Sequence, residues 1–189
     1  MKNVSDRLNR LSESATLAMA RMSRELQAKG VNVIALSLGE PDFNTPEFIK
    51  EAGKKAIDDN FSHYTPVPGL AELRSSIAAK FKRDNNLQYD LEQIVTSTGA
   101  KQSLANICLS LLNPGDEVLL PCPYWVSYSE IIKLAEANPV EIPSSIDSDF
   151  KVTADDLEKA ITSKTKMLMF SSPCNPSGTV YTKEELVDI

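Results

Sequence analysis

The chain has 189 residues, 42% of them hydrophobic and 24% charged, the balance of a soluble globular protein and not of a disordered one. Lys and Arg number 20 against 26 Asp and Glu, a net charge of -6, which argues against a general nucleic-acid or membrane-surface binder but leaves room for a local pocket for one anion. No stretch is long and apolar enough to span a bilayer, and charged residues run through the first thirty positions, so neither a membrane helix nor a signal peptide is expected.

Leu8, Leu11, Ala15, Ala18, Met22 and Leu26 recur at three- and four-residue steps, which predicts one helix that Gly30 ends. Val31 to Leu36 reads as a short extended segment. Thr45-Pro46 opens a second helix, with Glu47 near its positive end and Phe48, Ile49, Ala52, Ala56 and Ile57 as its buried stripe. A third helix, marked by Leu70, Leu73, Ile77 and Phe81, follows the turn Pro66-Val67-Pro68-Gly69. Strands and helices then alternate. Gln93 to Ser97 is predicted as a strand, followed by a helix carrying Leu104, Ile107, Leu111 and Leu112. Asn113-Pro114-Gly115-Asp116 is a turn into the strand Glu117 to Leu120. A helix near 126–136, an extended piece near 139–142, a helix over 154–162 and an apolar strand from Lys166 to Phe170 complete the series. This alternation implies an α/β sheet with crossover helices.

Thr153 with Asp156 and Thr182 with Glu185 both have the spacing of a capping box. The second opens a helix just before Ile189. A domain seldom opens a helix that it does not complete, so the chain is expected to be truncated.

Cys108, Cys122 and Cys174 are odd in number and lack CxxC spacing, which fits free thiols in a reducing cytoplasm. His63, the single histidine, argues against a His-based zinc site, and no metal is expected. It also leaves a Ser-His-Asp triad one candidate base, with no nucleophile-elbow motif beside it.

Four segments could carry chemistry. Ser97-Thr98-Gly99-Ala100-Lys101 lies where a strand meets a helix, so amide groups and the helix dipole could cradle a phosphate. Alone it reads better as a plain βα turn, and it is no P-loop. Pro121-Cys122-Pro123-Tyr124-Trp125 ends a strand, where ligands of open sheets bind, and Trp125 could stack a flat ring or simply be a core aromatic. In Ser171-Ser172-Pro173-Cys174-Asn175-Pro176-Ser177-Gly178, Asn175 could aim one hydrogen bond from a proline-fixed backbone that allows a cis Asn-Pro bond; the alternative is an ordinary tight turn. Ser37-Leu38-Gly39-Glu40-Pro41-Asp42-Phe43, with Tyr64 further on, offers carboxylates better read as turn or capping groups.

Taken in order, Leu38 to Phe43, Tyr64 to Gly69, Thr98 to Gln102, Pro123-Tyr124-Trp125 and Asn175-Pro176-Ser177-Gly178 resemble the class-I aminotransferases, fold-type-I pyridoxal-phosphate enzymes, in their bacterial aspartate-aminotransferase branch. The resemblance runs from the first residues to the last. It implies an α/β fold with an N-terminal arm and small-domain segment over residues 1–47, and the first part of the large cofactor-binding domain, with a mixed, mostly parallel sheet, over 48–189. It implies that the amides of Gly99, Ala100 and Lys101 hold the phosphate of pyridoxal 5'-phosphate, that Trp125 stacks on its pyridine ring and that Asn175 hydrogen-bonds its phenolic oxygen. Tyr64 would reach the cofactor phosphate of a partner subunit, hence a homodimer with shared sites. Gly39, Trp125 and Asn175 would face the substrate. The family's reactive lysine, its aspartate, a tyrosine and a substrate-binding arginine would all lie beyond Ile189, so no catalytic residue is expected within the chain, which should be inactive by itself.

The full-length protein would exchange an amino group between an amino acid, aspartate by preference, and a 2-oxo acid such as 2-oxoglutarate. Rival readings on the same fold are a carbon-sulfur lyase, a synthase acting on an activated methionine, or a non-catalytic fragment. A nucleotide-binding domain would need a P-loop or GxGxxG sequence, and neither is present.

Overall fold

The computed structural model describes residues 4–36 and 38–189; Ser37 of the fourth candidate segment lies outside them. By their contacts these residues form two compact units, the segment up to Val33 together with Lys101–Ile189, and Ile34–Ala100. The expected border at 47/48 falls inside the second.

The first unit is built on three parallel strands, β1 (Glu117–Pro121), β2 (Asn138–Ile142) and β3 (Thr165–Leu168), in the order β2-β1-β3. Central β1 reads Val-Leu-Leu because both its faces are covered. Val118 and Leu120 point to one side and pack with Cys108 and Leu112 of the α5 segment (helix Ala100–Leu111) and Ile131 and Ile132 of α6 (Ser127–Leu134). Leu119 points to the other side, against Ile142, Val152 and Leu157 of α7 (Ala154–Ala160). The period-two alternation of the strand thus separates two core clusters. The helix expected to carry Leu104, Ile107, Leu111 and Leu112 forms over Ala100–Leu111; Leu104 and, just after it, Leu112 face inward, while Ile107 and Leu111 are exposed and Cys108 is fully buried.

The turn before β1 is as expected, with the Asn113 N–H donating to the Asp116 carboxylate at 2.8 Å. Both capping boxes form. Asp156 caps with Thr153 at α7, and Glu185 with Thr182 at α8 (Lys183–Asp188).

The single N-terminal helix is corrected. The structure has a short α1 (Asp6–Asn9), a break, and then α2 (Ala15–Ala28). The break has a physical cause in two serines. The Ser12 N–H leaves the helical path to donate to Glu130 at 2.7 Å, and the Ser14 hydroxyl accepts from the Leu17 N–H as an N-cap. Gly30 ends α2 as expected, at φ +82°, with Val31 and Gly30 donating to the carbonyls of Leu26 and Gln27 in a Schellman motif.

The Ile34–Ala100 unit contains α3 (Glu47–Asp58) and α4 (Ala71–Asn85). Two expectations fail here. The stripe of α3 is not buried: Phe48 is 75% exposed and Ile57 78%. Gln93–Ser97 is not a strand. A 3-10 turn at Leu91–Gln93 is closed by reciprocal bonds with Asp90, and extended backbone follows. Its Thr96 N–H donates to the Pro68 carbonyl at 2.9 Å, in the turn before α4, and not to a ladder partner. The unit's glycine turn is tightly fitted, because a Cβ on Gly69, at φ +103°, would lie 2.0 Å from the Thr96 hydroxyl.

Candidate functional site

The first turn of α5 begins directly after Gly99, whose φ of +85° belongs to the left-handed region that only glycine adopts freely. Nothing lies within 4 Å of a Cβ built there, so the space is open on that side. The Gly99 N–H donates to the Ser97 carbonyl at 2.9 Å, so this amide is engaged in a local turn. The N–H groups of a helix's first turn have no intrahelical acceptors, and the helix dipole makes that end favourable to an anion. Lys101, in this turn, sets its Nζ 4.8 Å from the centroid of the Trp125 ring. A cation over an indole face is attracted by the ring quadrupole, and it brings the helix terminus beside the aromatic surface.

Trp125 is half-buried and closes the loop Cys122–Trp125 that leaves the C-terminal end of β1. Its ring meets Tyr128 edge-on at 5.6 Å. The loop is held from several sides. The Cys122 N–H donates to Ile142 at 2.9 Å, and the Ser144 hydroxyl donates to the Cys122 carbonyl. The Tyr124 hydroxyl donates to Glu141 Oε1 at 2.5 Å. Burial, and then the bond to Glu141, push the Tyr124 phenol up to about 12, so at neutral pH it keeps the proton that it donates. Beneath the loop, a cavity of only about 10 Å³ remains among Tyr124, Tyr128, Phe150, Phe170 and Tyr181.

The third segment follows β3. It is folded by the Cys174 N–H donating to Thr179 at 2.9 Å, the Gly178 N–H donating to Cys174 at 2.8 Å and the Asn175 N–H donating to Ser171 Oγ at 3.4 Å. The Asn175–Pro176 bond is cis, as are Cys122–Pro123 and Ser172–Pro173. Asn175 is exposed. Cys174 joins this loop to that of Trp125, its thiol donating to the Pro123 carbonyl at 3.3 Å. All three cysteines are free thiols, and burial raises the pKa of Cys108 and Cys122.

Gly39 and Tyr64 belong to the other unit. Gly39 has open space where a Cβ would stand. Tyr64 is fully exposed and lines a groove with Phe61, His63, Pro66 and Leu70. The structure thus brings Lys101 to Trp125 and ties the Asn175 loop to the Trp125 loop, and Gly39 and Tyr64 are exposed residues of their own unit. Tyr124, Glu141 and Cys174 as loop fasteners were not foreseen. The one available hint was a carboxylate at position 141 in an otherwise apolar extended piece.

These donors suit one kind of ligand. A helix terminus and an ammonium favour an anionic group, an indole face favours a flat ring, and an exposed carboxamide can meet a polar ring substituent. Pyridoxal 5'-phosphate combines these three features. Among the described residues, no helix is long and apolar enough to cross a membrane.

The family described as aminotransferase class I and II matches residues 31–189. Over all 189 residues the chain is 50% identical to a Rickettsia bellii protein named "Probable aspartate/prephenate aminotransferase", covering 47% of that protein. It is 48% identical over 183 residues to an aspartate/prephenate aminotransferase of Nitrosomonas europaea, covering 46% of it. Among solved structures, an aspartate aminotransferase from Rhizobium meliloti superposes with a TM-score of 0.94 at 40% identity, over 100% of this chain and 47% of that one. The Thermus thermophilus aspartate aminotransferase with maleate gives 0.93 at 41% identity, over 98% of this chain and 49% of that one. The chain therefore spans about half the length of the relatives it matches.

Proposed function

The chain belongs to the class I and II aminotransferases, and from that premise we propose that the whole protein moves an amino group between an amino acid and a 2-oxo acid with pyridoxal 5'-phosphate. Aspartate is the proposed donor and 2-oxoglutarate the proposed acceptor, with prephenate as a second acceptor suggested by the names of the relatives. The observation that carries this reading is the Lys101 ammonium 4.8 Å from the Trp125 ring, which sets a helix N-terminus beside an aromatic face in a matching family member.

When bound, the cofactor supplies an electron sink for carbanion chemistry at the amino-acid α-carbon. The chain's own residues hold and orient it. The amides at Gly99, Ala100 and Lys101 bind the phosphate, with the Ser97 contact of Gly99 exchanged for it. Trp125 covers one ring face and keeps water from it. Asn175 donates to the phenolic oxygen and so stabilises its anionic form. Gly39 leaves room for the substrate carboxylate, and Tyr64 extends to the phosphate held by the partner subunit of a cytoplasmic homodimer.

The lysine that bonds to the cofactor is assigned to the half of the relatives' length that these 189 residues do not span, so the chain alone is proposed to be inactive. Incubating the whole protein with cofactor and aspartate should yield oxaloacetate and the aminated cofactor, followed by glutamate when 2-oxoglutarate is added. The 189-residue chain should yield neither. Release of ammonia and an oxo acid without amino transfer would instead favour a lyase on the same fold.

A further inference from the structure

Glu141 lies on β2, outside the four segments that the proposed site draws on, and its side chain crosses to the neighbouring β1 loop to accept the Tyr124 hydroxyl at 2.5 Å. Tyr124 is covalently next to Trp125. The phenol and the indole therefore share one short loop, and the direction of the first constrains the second. Three further bonds act on the loop's backbone: Ile142 accepts from the Cys122 N–H, the Ser144 hydroxyl holds the Cys122 carbonyl, and the Cys174 thiol holds the Pro123 carbonyl; at its side chains, the Cys122 thiol donates to the Leu120 carbonyl at 3.7 Å and Ser129 also hydrogen-bonds the Tyr124 phenol from α6. Glu141 is the acceptor that ties the side chain next to the indole to β2. Ring packing alone would let the Tyr124 side chain swing about χ1, whereas a hydrogen bond from its far end to a strand fixes where that end points.

We propose that Glu141 is a positioning residue: through the Tyr124 hydroxyl it holds the Cys122–Trp125 loop so that the Trp125 ring stands at a fixed angle for a flat ligand ring. This rests on the reading of Trp125 as the stacking surface for pyridoxal 5'-phosphate. The carboxylate touches no ligand itself. Its work is to remove the freedom that Trp125 would otherwise lose on binding, so its loss appears as weaker binding and a looser indole.

Trp125 is the only tryptophan in these 189 residues, so its fluorescence reports on this ring alone once any tryptophan elsewhere in the whole protein is changed to phenylalanine. The variants are Glu141→Ala, Glu141→Gln, Tyr124→Phe and the Tyr124→Phe/Glu141→Ala pair. Without cofactor, Glu141→Ala and Tyr124→Phe should each lower the anisotropy of Trp125 and raise its quenching by acrylamide about twofold, with the pair no worse than Tyr124→Phe alone, which already removes the hydroxyl that Glu141 accepts. Glu141→Gln keeps an acceptor and should restore most of the effect. Titrated with pyridoxal 5'-phosphate, the two single variants should bind roughly fivefold more weakly, the order expected for one exposed hydrogen bond.

Unchanged quenching in both single variants, or additive effects in the pair, overturns the proposal. Glu141 is exposed, so its replacement leaves the core intact, and an unaltered melting temperature separates loss of positioning from loss of fold. A different result tests the underlying reading. If the cofactor binds, as its own absorbance shows, and Trp125 emission does not respond in the unmodified protein, then Trp125 is not the stacking surface and Glu141 has no ring to aim.

Discussion

The two units of the chain are folded on different terms. In the unit containing the sheet, side chains on both faces of β1 are fully covered: Val118, Leu120 and Ile132 have no exposed surface, and Cys108 is equally hidden. In Ile34–Ala100, Ile94 is the buried hydrophobic residue among those described, while Ile34, Leu36, Phe43, Phe48, Ile57, Phe61, Tyr64 and Val67 lie mostly in the open. Helix formation therefore does not by itself make a core. α3 has its apolar residues on one face as an amphipathic helix should, yet that face is left largely open, with Phe48 75% and Ile57 78% exposed. A large open apolar surface of this kind is the mark of a contact made elsewhere. The proposed dimer, and the part of the relatives' length not spanned here, are the candidates to make it.

The largest effects test this contrast directly. Leu120→Ala or Ile132→Ala removes a side chain packed on all sides and should cost about 2–5 kcal/mol in denaturant unfolding. Phe48→Ala and Ile57→Ala remove side chains that are 75% and 78% exposed, and in the 189-residue chain they should fall within about 0.5 kcal/mol of the parent. The same two substitutions should become markedly more costly in the whole protein if the α3 face is covered there. Equal costs for Phe48→Ala and Leu120→Ala in the 189-residue chain would erase the distinction between the units.

A smaller effect belongs to the Ile34–Ala100 unit. It has little core, so its tight fits should matter more, and the tightest is Gly69 against Thr96. Gly69→Ala meets both a φ of +103° and a Thr96 hydroxyl 2.0 Å from the new methyl. The expected loss is roughly 1–3 kcal/mol, read as melting temperature. Adding Thr96→Ala should return the part due to the clash and leave the part due to the backbone. Full recovery would show that only crowding forbids a side chain there.

Much of this architecture is legible in order of sequence distance. The turn at Asn113–Asp116, the Schellman end at Gly30 and both capping boxes are closed by residues within a few positions of each other, so local chemistry predicts them. The errors sit where the deciding partner is far away. The break before α2 depends on Glu130, 118 residues from Ser12. The backbone near Thr96 is settled by Pro68, a turn and not a strand. The exposure of the α3 stripe depends on what faces it, which periodicity cannot tell. The candidate site follows the same rule. Gly99, Lys101, Trp125 and Asn175 are weak signals one by one and are picked out by the order in which their motifs resemble a known family, but the Tyr124–Glu141 and Cys174–Pro123 bonds join residues 17 and 51 apart and leave no local pattern.

The smallest effect concerns how single helices start. α2, α7 and α8 each begin with a side-chain cap from Ser14, Thr153 or Thr182, whereas α1, α3, α4 and α6 begin at Ser5, Pro46, Leu70 and Val126 with none. Thr153→Ala removes one such cap and should cost roughly 1 kcal/mol. The cap also carries a pH signature. The Asp156 carboxylate accepts from the Thr153 hydroxyl at 2.7 Å and from its N–H at 2.9 Å. The hydroxyl first and the backbone N–H second hold its pKa below the ordinary 3.8. A carboxyl depressed in the folded state binds fewer protons there than when unfolded, so its stabilisation is present above about pH 3.8 and fades as pH falls through the lowered value. Nuclear magnetic resonance titration should find Asp156 below that value in the parent and returned towards it in Thr153→Ala. An Asp156 titration that does not move in Thr153→Ala would mean that the cap is not what holds this carboxyl down.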